Sequence, residues 1–177
     1  MTDVSPARTI IQQEEVDSPA GVTATTFKRM AEVSNLNSMR QYDTKSFFLN
    51  GPYGLGVGDQ GVDGLYVIPF NMELLGLSMF NLRAGASGTT TLDVHWLNSG
   101  GDQGSIFSTK PAIGFNAGNN AYLARNLVSG NDKTGTGLTL PVFSKTLFNE
   151  FDALRLDIDA AQSEGENAGL ILWYRPR

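Results

Sequence analysis

The chain has 177 residues, 41% hydrophobic and 18% charged, which suits a water-soluble protein of one domain with an appendage. The formal net charge is −5 and the basic residues are scattered, so the composition argues against nucleic acid as the main partner. With no cysteine and one histidine, the sequence excludes disulfides, thiol catalysis and metal sites built from cysteine or clustered histidine. It contains neither a signal-peptide core nor an apolar run of membrane-spanning length, so we expect no membrane partner.

Residues 1–40 are predicted to form an N-terminal arm. They are polar and rich in Thr, Ser, Gln and Glu, and a short helix is suggested only from Ala24 to Met39, where apolar residues recur every three or four positions. Such a segment buries too little apolar surface to fold alone, so we expect it to be partly extended and to become ordered on its own core domain or, by preference, on a neighbouring subunit. The candidate partner-binding residues are Phe27, Met30, Val33 and Leu36.

The glycine-rich stretch from Gly51 to Gly64 contains the pattern G-x-G-x-x-G at Gly56, Gly58 and Gly61. A dinucleotide site needs a helix directly after this pattern, so that amide N–H groups and the helix dipole meet the pyrophosphate. Here the following residues, VDGLYVIPF, are strand-like and include a proline. We therefore interpret the stretch as a loop leading into a strand, and we expect no cofactor.

Residues 41–177 have the pattern of an antiparallel β-sandwich. In TTTLDVHWL, apolar side chains and Thr90 alternate with Thr89, Thr91, Asp93 and His95, and in LRLDIDA three apolar residues alternate with Arg155, Asp157 and Asp159. Turn sequences rich in Gly, Ser and Asn separate these segments, and almost no helix is predicted. Further strands are expected at Leu65–Phe70, Leu74–Leu82, Ser105–Ser108, Leu138–Phe143 and Gly169–Arg175.

The residues that could carry chemistry are few. His95 lies beside Asp93 on one strand face, but no nucleophile-elbow motif accompanies them, so we interpret His95 as an exposed strand histidine. Asp157 and Asp159 share a strand face about 7 Å apart, a separation compatible with glycoside hydrolysis or calcium binding. A solvated surface is the favoured interpretation for this pair, and we assign no catalytic residue, no metal ligand and no cofactor.

Aromatic residues give the remaining signal. Trp96 and Trp173 lie in strands among apolar neighbours and are predicted to belong to the core. Tyr53, Phe115 and Tyr122 lie in segments rich in Gly and Asn, where packing within the domain explains them less readily. They are candidate contacts for a protein or a glycan, and the long connection from Gly114 to Gly137 is the predicted functional end of the sandwich.

The segment covering about residues 62–177 resembles a recurrent jelly-roll-like β-sandwich module of tailed-bacteriophage virion proteins. A strand ending in Pro-Phe leads to a Gly-x-Ser strand, a G-x-x-G-T-T-x-x-D-V hairpin, a short Ile-Phe strand before a proline, an acidic strand and a closing Leu-x-Tyr strand. Gly85 and Gly88 are expected to supply positive φ angles in the hairpin turn. The matching positions are Pro69-Phe70, Gly76 to Ser78, Gly85 to Val94, Ile106-Phe107, Pro111, Leu154 to Asp159 and Leu170 to Tyr174.

The resemblance implies an all-β, jelly-roll-like sandwich and a non-enzymatic role in a virion, with synthesis in the host cytoplasm. A capsid decoration (cement) protein is the first hypothesis, with the major capsid protein or other virion subunits as partners and a homo-oligomer, by preference a trimer, as its state. A tail, neck or fibre-associated component, or a glycan-binding module for host attachment, is the alternative. A hydrolase using Asp157 or His95 is the least favoured hypothesis.

Overall fold

The computed structural model describes residues 42–52 and 60–177, and the predicted arm contacts Phe27, Met30, Val33 and Leu36, together with Tyr53, lie outside them. The described residues form antiparallel strands joined by turns, with one short 3₁₀ turn at Phe115–Ala117. The strands are β1 (Asp43–Pro52), β2 (Gln60–Val67), β3 (Met72–Arg83), β4 (Thr89–Asn98), β5 (Gly101–Ser105), β6 (Phe107–Thr109), β7 (Ala112–Gly114), β8 (Ala121–Asn126), β9 (Leu138–Thr139), β10 (Val142–Phe143), β11 (Leu147–Phe148), β12 (Ala153–Ala160) and β13 (Glu166–Pro176).

Two antiparallel sheets form the sandwich. In the first, which we call sheet A, the order is β1-β13-β3-β11, and β8 pairs with the later part of β3. In the second, sheet B, the order is β2-β12-β4-β7-β9, and β5 pairs with β4. A small separate ladder joins β6 and β10. The predicted all-β antiparallel sandwich is therefore confirmed.

The core lies between the two sheets and is built by period-2 alternation. Sheet A contributes Phe47, Leu77, Met79, Leu123, Leu170 and Leu172, and sheet B contributes Leu92, Val94, Ile113, Leu154, Leu156 and Ile158. All are nearly or fully inaccessible to solvent, and such burial stabilises the fold by about 1.5–3 kcal/mol for each large side chain. Trp96 packs against this core from β4, as predicted.

One tyrosine of the core keeps a polar partner. The Tyr174 hydroxyl lies 2.8 Å from the hydroxyl of Tyr66 and also interacts with Asp43, so this buried group has hydrogen-bond partners. Burial raises the pKa of Tyr174 well above its ordinary value, and the contact with Tyr66 adds to this effect. Tyr174 is therefore a neutral structural group that links the two sheets.

Strand predictions were most successful where alternation is regular. The predicted segments around β3, β4, β12 and β13 are present, with ends displaced by at most three residues. The strand predicted at Leu65–Phe70 is present but shifted, because β2 runs from Gln60 to Val67 and so includes Gly61, the last glycine of the G-x-G-x-x-G pattern. No individual strands were predicted at β1 and β8, although β1 supplies Phe47 to the core and β8 supplies Leu123.

Trp173 and Gly85 differ from the predictions made for them. Trp173 is not a core residue, because Leu172 and Tyr174 take the inward positions of β13 and Trp173 therefore lies on the outer face. Gly85 does not have the positive φ expected for it, whereas Gly88 does, at 86°. Gly85 is required by a close approach instead, since an added Cβ would lie 2.0 Å from the backbone oxygen of Ser163.

Candidate interaction surfaces

A row of aromatic side chains crosses the outer face of sheet A. Phe48 is opposite Gly169, Gly169 is opposite Phe80, and Phe80 is opposite Tyr122 in successive antiparallel pairs. Directly paired residues of antiparallel strands project from the same face, so the three rings lie side by side. The ring centroids of Phe48 and Phe80 are 6.0 Å apart. We call Phe48, Phe80 and Tyr122 the aromatic row.

Glycines in neighbouring strands make space for two aromatic rings on this outer face, those of Phe80 and Trp173. An added Cβ on Gly169 would approach the Phe80 ring to 2.5 Å, and one on Gly76 would lie 3.0 Å from the Trp173 ring. Both aromatic side chains therefore lie flat against backbone, which reduces their exposure without placing them in the core. This use of ring area to cover a strand glycine is a known way of stabilising a sheet face.

The face around the aromatic row is apolar and accessible. Phe48 is 49% exposed, Tyr122 is 52% exposed, and the outward-facing Leu82 near the end of β3 is 49% exposed. Ile171, two residues after Gly169 in β13, projects from the same face and is half-buried. Exposed aromatic and aliphatic side chains grouped on one sheet face are typical of a site that contacts another macromolecule.

The outer face of sheet B is charged rather than apolar. Asp93 of β4 is directly opposite Asp157 of β12, and His95 is directly opposite Arg155. Facing carboxylates repel each other, but Arg155 binds Asp157 through two hydrogen bonds of 2.8 Å, and the Gly61 amide donates a third of 3.0 Å. The hydrogen bond to Asp157 raises the pKa of Arg155 further, so the guanidinium remains charged.

Asp93 is fully buried although it belongs to the outer face. Its carboxylate accepts a 2.5 Å hydrogen bond from the Ser105 hydroxyl, lies 2.7 Å from the Lys110 ammonium and lies 3.3 Å from His95 Nε2. Lys110 also contacts Asp159. Burial by itself lowers the pKa of Lys110, but its two carboxylate partners outweigh this effect and raise it.

Asp102 closes the network at the β4–β5 hairpin. Its carboxylate is 2.9 Å from His95 Nδ1 and accepts a 2.8 Å hydrogen bond from Arg155. Burial acts to raise the pKa of Asp102, but the Gly104 amide, His95 and Arg155 together lower it below its ordinary value. Four carboxylates, one histidine and two cations thus form one continuous cluster. We call it the ionic network, and its members are Asp93, Asp102, Asp157, Asp159, His95, Lys110 and Arg155.

These contacts correct the predictions for the outer face of sheet B. His95 is not an exposed strand histidine, because carboxylates contact both ring nitrogens and only 23% of its side chain is exposed. Asp157 is buried against Arg155, and only Asp159 is solvated. Each carboxylate already has a cationic partner, which disfavours calcium, and the part of the chain that is described contains no group of three or more acidic or histidine side chains able to hold a metal ion.

The connection between β7 and β9 forms a pocket of about 300 Å³. One wall is the turn that leads into β8, and the other is the segment Lys133–Leu138. Tyr122 lines this pocket and is also the last member of the aromatic row, so the two features meet at this ring. Phe115 is 47% exposed at the start of the same connection but does not line the pocket.

Phe151 is an exposed aromatic residue that the sequence analysis did not single out. It is 75% exposed and has a φ angle of 66°, which is strained for a bulky side chain. Its amide donates a 2.8 Å hydrogen bond to the Ile68 carbonyl, which holds the turn between β11 and β12 in this conformation. The local sequence NEFD contains no glycine to mark such a position, so the pattern offered no signal.

Among residues 42–52 and 60–177, no helix has the length and apolar character needed to cross a bilayer. No protein-family model matches the chain, and no curated protein matches it.

Solved structures similar to this chain include viral capsids, all at low identity. One described as "Capsid of Ralstonia phage GP4" is 15% identical with a TM-score of 0.46, over 78% of this chain and 86% of that chain. A second, "Cyanophage Pam1 capsid asymmetric unit", is 15% identical with a TM-score of 0.31, over 77% and 84% of the two chains. A third, from infectious bursal disease virus strain Gt, is 14% identical with a TM-score of 0.29 and covers 78% of this chain and 34% of that chain.

Proposed function

We propose that this chain is a non-enzymatic structural protein of a tailed-phage virion, and that it acts as a capsid decoration (cement) subunit. Its sequence resemblance to virion β-sandwich modules over about residues 62–177 supports the general role. Its partner in this proposal is a shell subunit, the major capsid protein by preference, and the sandwich itself assembles as a homo-oligomer such as a trimer.

The observation that carries the proposal is the apolar outer face of sheet A. Strands β1, β3 and β8 present Phe48, Phe80 and Tyr122 in one row, with Gly169 of β13 between the first two, on paired backbone rather than on a loop. A preorganised apolar surface loses little conformational entropy when it is covered, so it suits a permanent contact that acts by burying area. We propose that a neighbouring virion subunit covers the part of this face around Phe48, Phe80 and Leu82 with apolar surface of its own, and that Tyr122 remains open at its edge.

The ionic network on sheet B supports a structural role over a hydrolytic one. A general acid and base need carboxylates that can reach a substrate and exchange protons with it. Here Asp93 and Asp157 are buried and bound to cations, while His95 is held by carboxylates on both ring nitrogens. This arrangement fixes β4, β5 and β12 together and leaves none of these groups free to act on a substrate.

Residues 1–40 complete the proposal as a tether. At roughly 3.3 Å per residue, an extended segment of this length reaches beyond 100 Å, enough to contact neighbouring shell subunits. Apolar arm residues such as Phe27 and Leu36 would supply the contacts. A subunit at the tail, neck or a fibre base would use the same arm and the same outer face of sheet A. Imaging of labelled protein on the particle distinguishes these locations.

The experiment is reconstitution of purified protein onto particles that lack it, followed by sedimentation to measure bound copies. Phe48→Ser with Leu82→Ser should reduce attachment at least ten-fold, because the covered face becomes polar. Leu65→Ser, at an exposed position of sheet B, is the matched control and should attach normally. Deletion of residues 1–40 should leave the sandwich folded but unattached. Attachment of the double variant at the wild-type level would reject the role of sheet A.

Labelled protein viewed on the particle surface then separates the locations. Binding over the whole shell is expected for a decoration subunit. Binding confined to the tail, neck or fibre base would assign the alternative location.

A further inference from the structure

We propose that the pocket between the β7–β8 turn and the segment Lys133–Leu138 is a carbohydrate-binding site for a pyranose unit of a polysaccharide. This inference goes beyond the proposed virion role and does not depend on it, because it rests on the lining of the pocket alone.

The two walls of the pocket are fixed to the sheets by backbone hydrogen bonds. The Gly114 amide donates to the Gly137 carbonyl at 2.7 Å, and Lys133 and Ala124 exchange hydrogen bonds of 2.8 and 3.1 Å. The Asn120 amide donates to the Leu82 carbonyl at 3.0 Å. A ligand would therefore meet a preformed site, which lowers the entropic cost of binding.

Side-chain packing adds to this framework. The Asn119 carboxamide oxygen accepts a 2.9 Å hydrogen bond from the Ala84 amide, which ties the first wall to the end of β3. Asn116 lies so close to Gly137 that an added Cβ would be 2.3 Å from its carboxamide oxygen. The absence of a side chain at Gly137 thus allows Asn116 of the first wall to pack against the second wall.

The chemistry of the lining indicates the ligand class. Asn116, Asn120, Thr134 and Thr136 line the pocket with carboxamides and hydroxyls, groups that both donate and accept hydrogen bonds, and the Asn119 carboxamide nitrogen remains as a donor. No carboxylate lines the pocket, so it is not built for a metal ion or a basic peptide. The apolar lining is limited to four side chains, which is a small surface for a lipid or a hydrophobic peptide: Ala117, Ala121, Tyr122 and Leu138. A polyhydroxylated molecule matches this set of groups.

Tyr122 supplies the remaining element of such a site. Its ring is 52% exposed at the edge of the pocket, and the Lys133 ammonium lies 5.5 Å from the ring centroid. A half-exposed aromatic ring beside clustered hydrogen-bonding groups suits a pyranose, whose C–H face can stack on the ring while its hydroxyls bind the amides. Sheet A fixes the ring in place, because Tyr122 is paired with Phe80 in the β8–β3 ladder.

The test is an NMR titration of full-length protein with a panel of defined oligosaccharides from bacterial surface polysaccharides. We expect at least one to shift the amide signals of residues 114–138 with millimolar or tighter affinity. Tyr122→Ala should weaken that binding about ten-fold through loss of stacking, and Thr136→Val, which keeps the side-chain shape, several-fold through loss of a hydrogen bond.

A third variant separates the pocket from the aromatic row. Phe48→Ser changes the row but not the pocket, so it should bind the same sugar with unchanged affinity, even if it fails to attach to particles. The proposal is overturned if no member of the panel shifts these signals at 10 mM, or if folded Tyr122→Ala binds as tightly as wild type. Loss of sugar binding in Thr136→Val with normal particle attachment would establish the site independently of the virion role.

Discussion

The Phe80 ring lies directly against the backbone of Gly169 in the adjacent strand, so that a Cβ at Gly169 would come within 2.5 Å of the ring. The same added atom would also lie 2.8 Å from the Phe47 backbone oxygen. The central position of the aromatic row therefore depends on a residue without a side chain. The outer face of sheet A keeps its shape only while position 169 remains glycine.

Gly169→Ala should lower the free energy of unfolding by about 2–3 kcal/mol, because the new methyl group conflicts with a packed ring and with backbone. Chemical denaturation measures the loss. Gly135→Ala is the matched control, since its added Cβ would meet only a Leu138 methyl carbon at 3.5 Å, and its effect should remain within about 0.5 kcal/mol. In a Phe80→Ala background the cost of Gly169→Ala should fall by about 1 kcal/mol or more, and an unchanged cost would show that the ring is not the obstacle.

Asp93→Asn should lower the free energy of unfolding by about 2 kcal/mol. The substitution keeps the shape of a fully buried side chain but removes the charge that Lys110 contacts at 2.7 Å. Asp159→Asn is the control, because it removes a solvated carboxylate from the same lysine and should cost less than about 1 kcal/mol. Equal effects at the two positions would contradict the burial of Asp93 as the source of the difference.

The contribution of Asp102 should depend on pH in a defined direction. Its pKa is lowered in the folded protein, so the stabilisation is complete above the unfolded-state pKa of about 4 and is lost as the pH falls through the lower folded value. The stability difference between wild type and Asp102→Asn should be no more than about 1 kcal/mol at pH 5 for this exposed group, and should shrink as the pH falls below about 4. A difference that grows on acidification would be inconsistent with this assignment.

Phe151→Gly should raise the free energy of unfolding by about 0.5–1 kcal/mol. Glycine adopts a φ angle of 66° without strain, and the exposed phenyl ring contributes little burial that could be lost. Val128→Gly is the control, since this exposed residue has no positive φ and should lose stability on substitution. A loss of stability in Phe151→Gly, measured by thermal denaturation, would show that the ring makes packing contacts that outweigh the strain.

Alternation in the sequence predicted the strands that have one apolar and one polar face. β4 and β12 follow this rule closely, and their pairing brings Arg155 opposite His95. β1 and β8 could not be predicted in the same way, because both of their faces carry apolar or aromatic residues. Phe47 is buried in the core while Phe48 belongs to the outer row, and in isolation DTKSFFLNGP does not show which face is inside.

The surfaces were predicted less completely than the fold. Tyr122 was identified from its position in an Asn-rich connection, but its alignment with Phe48 and Phe80 depends on strand register, which a single sequence does not specify. The ionic network was missed for a similar reason. Asp102, Ser105 and Lys110 follow β4 in the chain, and only the folded hairpin places their side chains around Asp93 and His95.

Cryo-electron microscopy of the intact particle that carries this chain tests the central claim most directly. We predict regularly spaced copies on the shell, with Phe48, Phe80 and Leu82 buried against a neighbouring virion subunit. A particle map in which every copy leaves the outer face of sheet A open to solvent, or in which the chain has no place, would contradict the account.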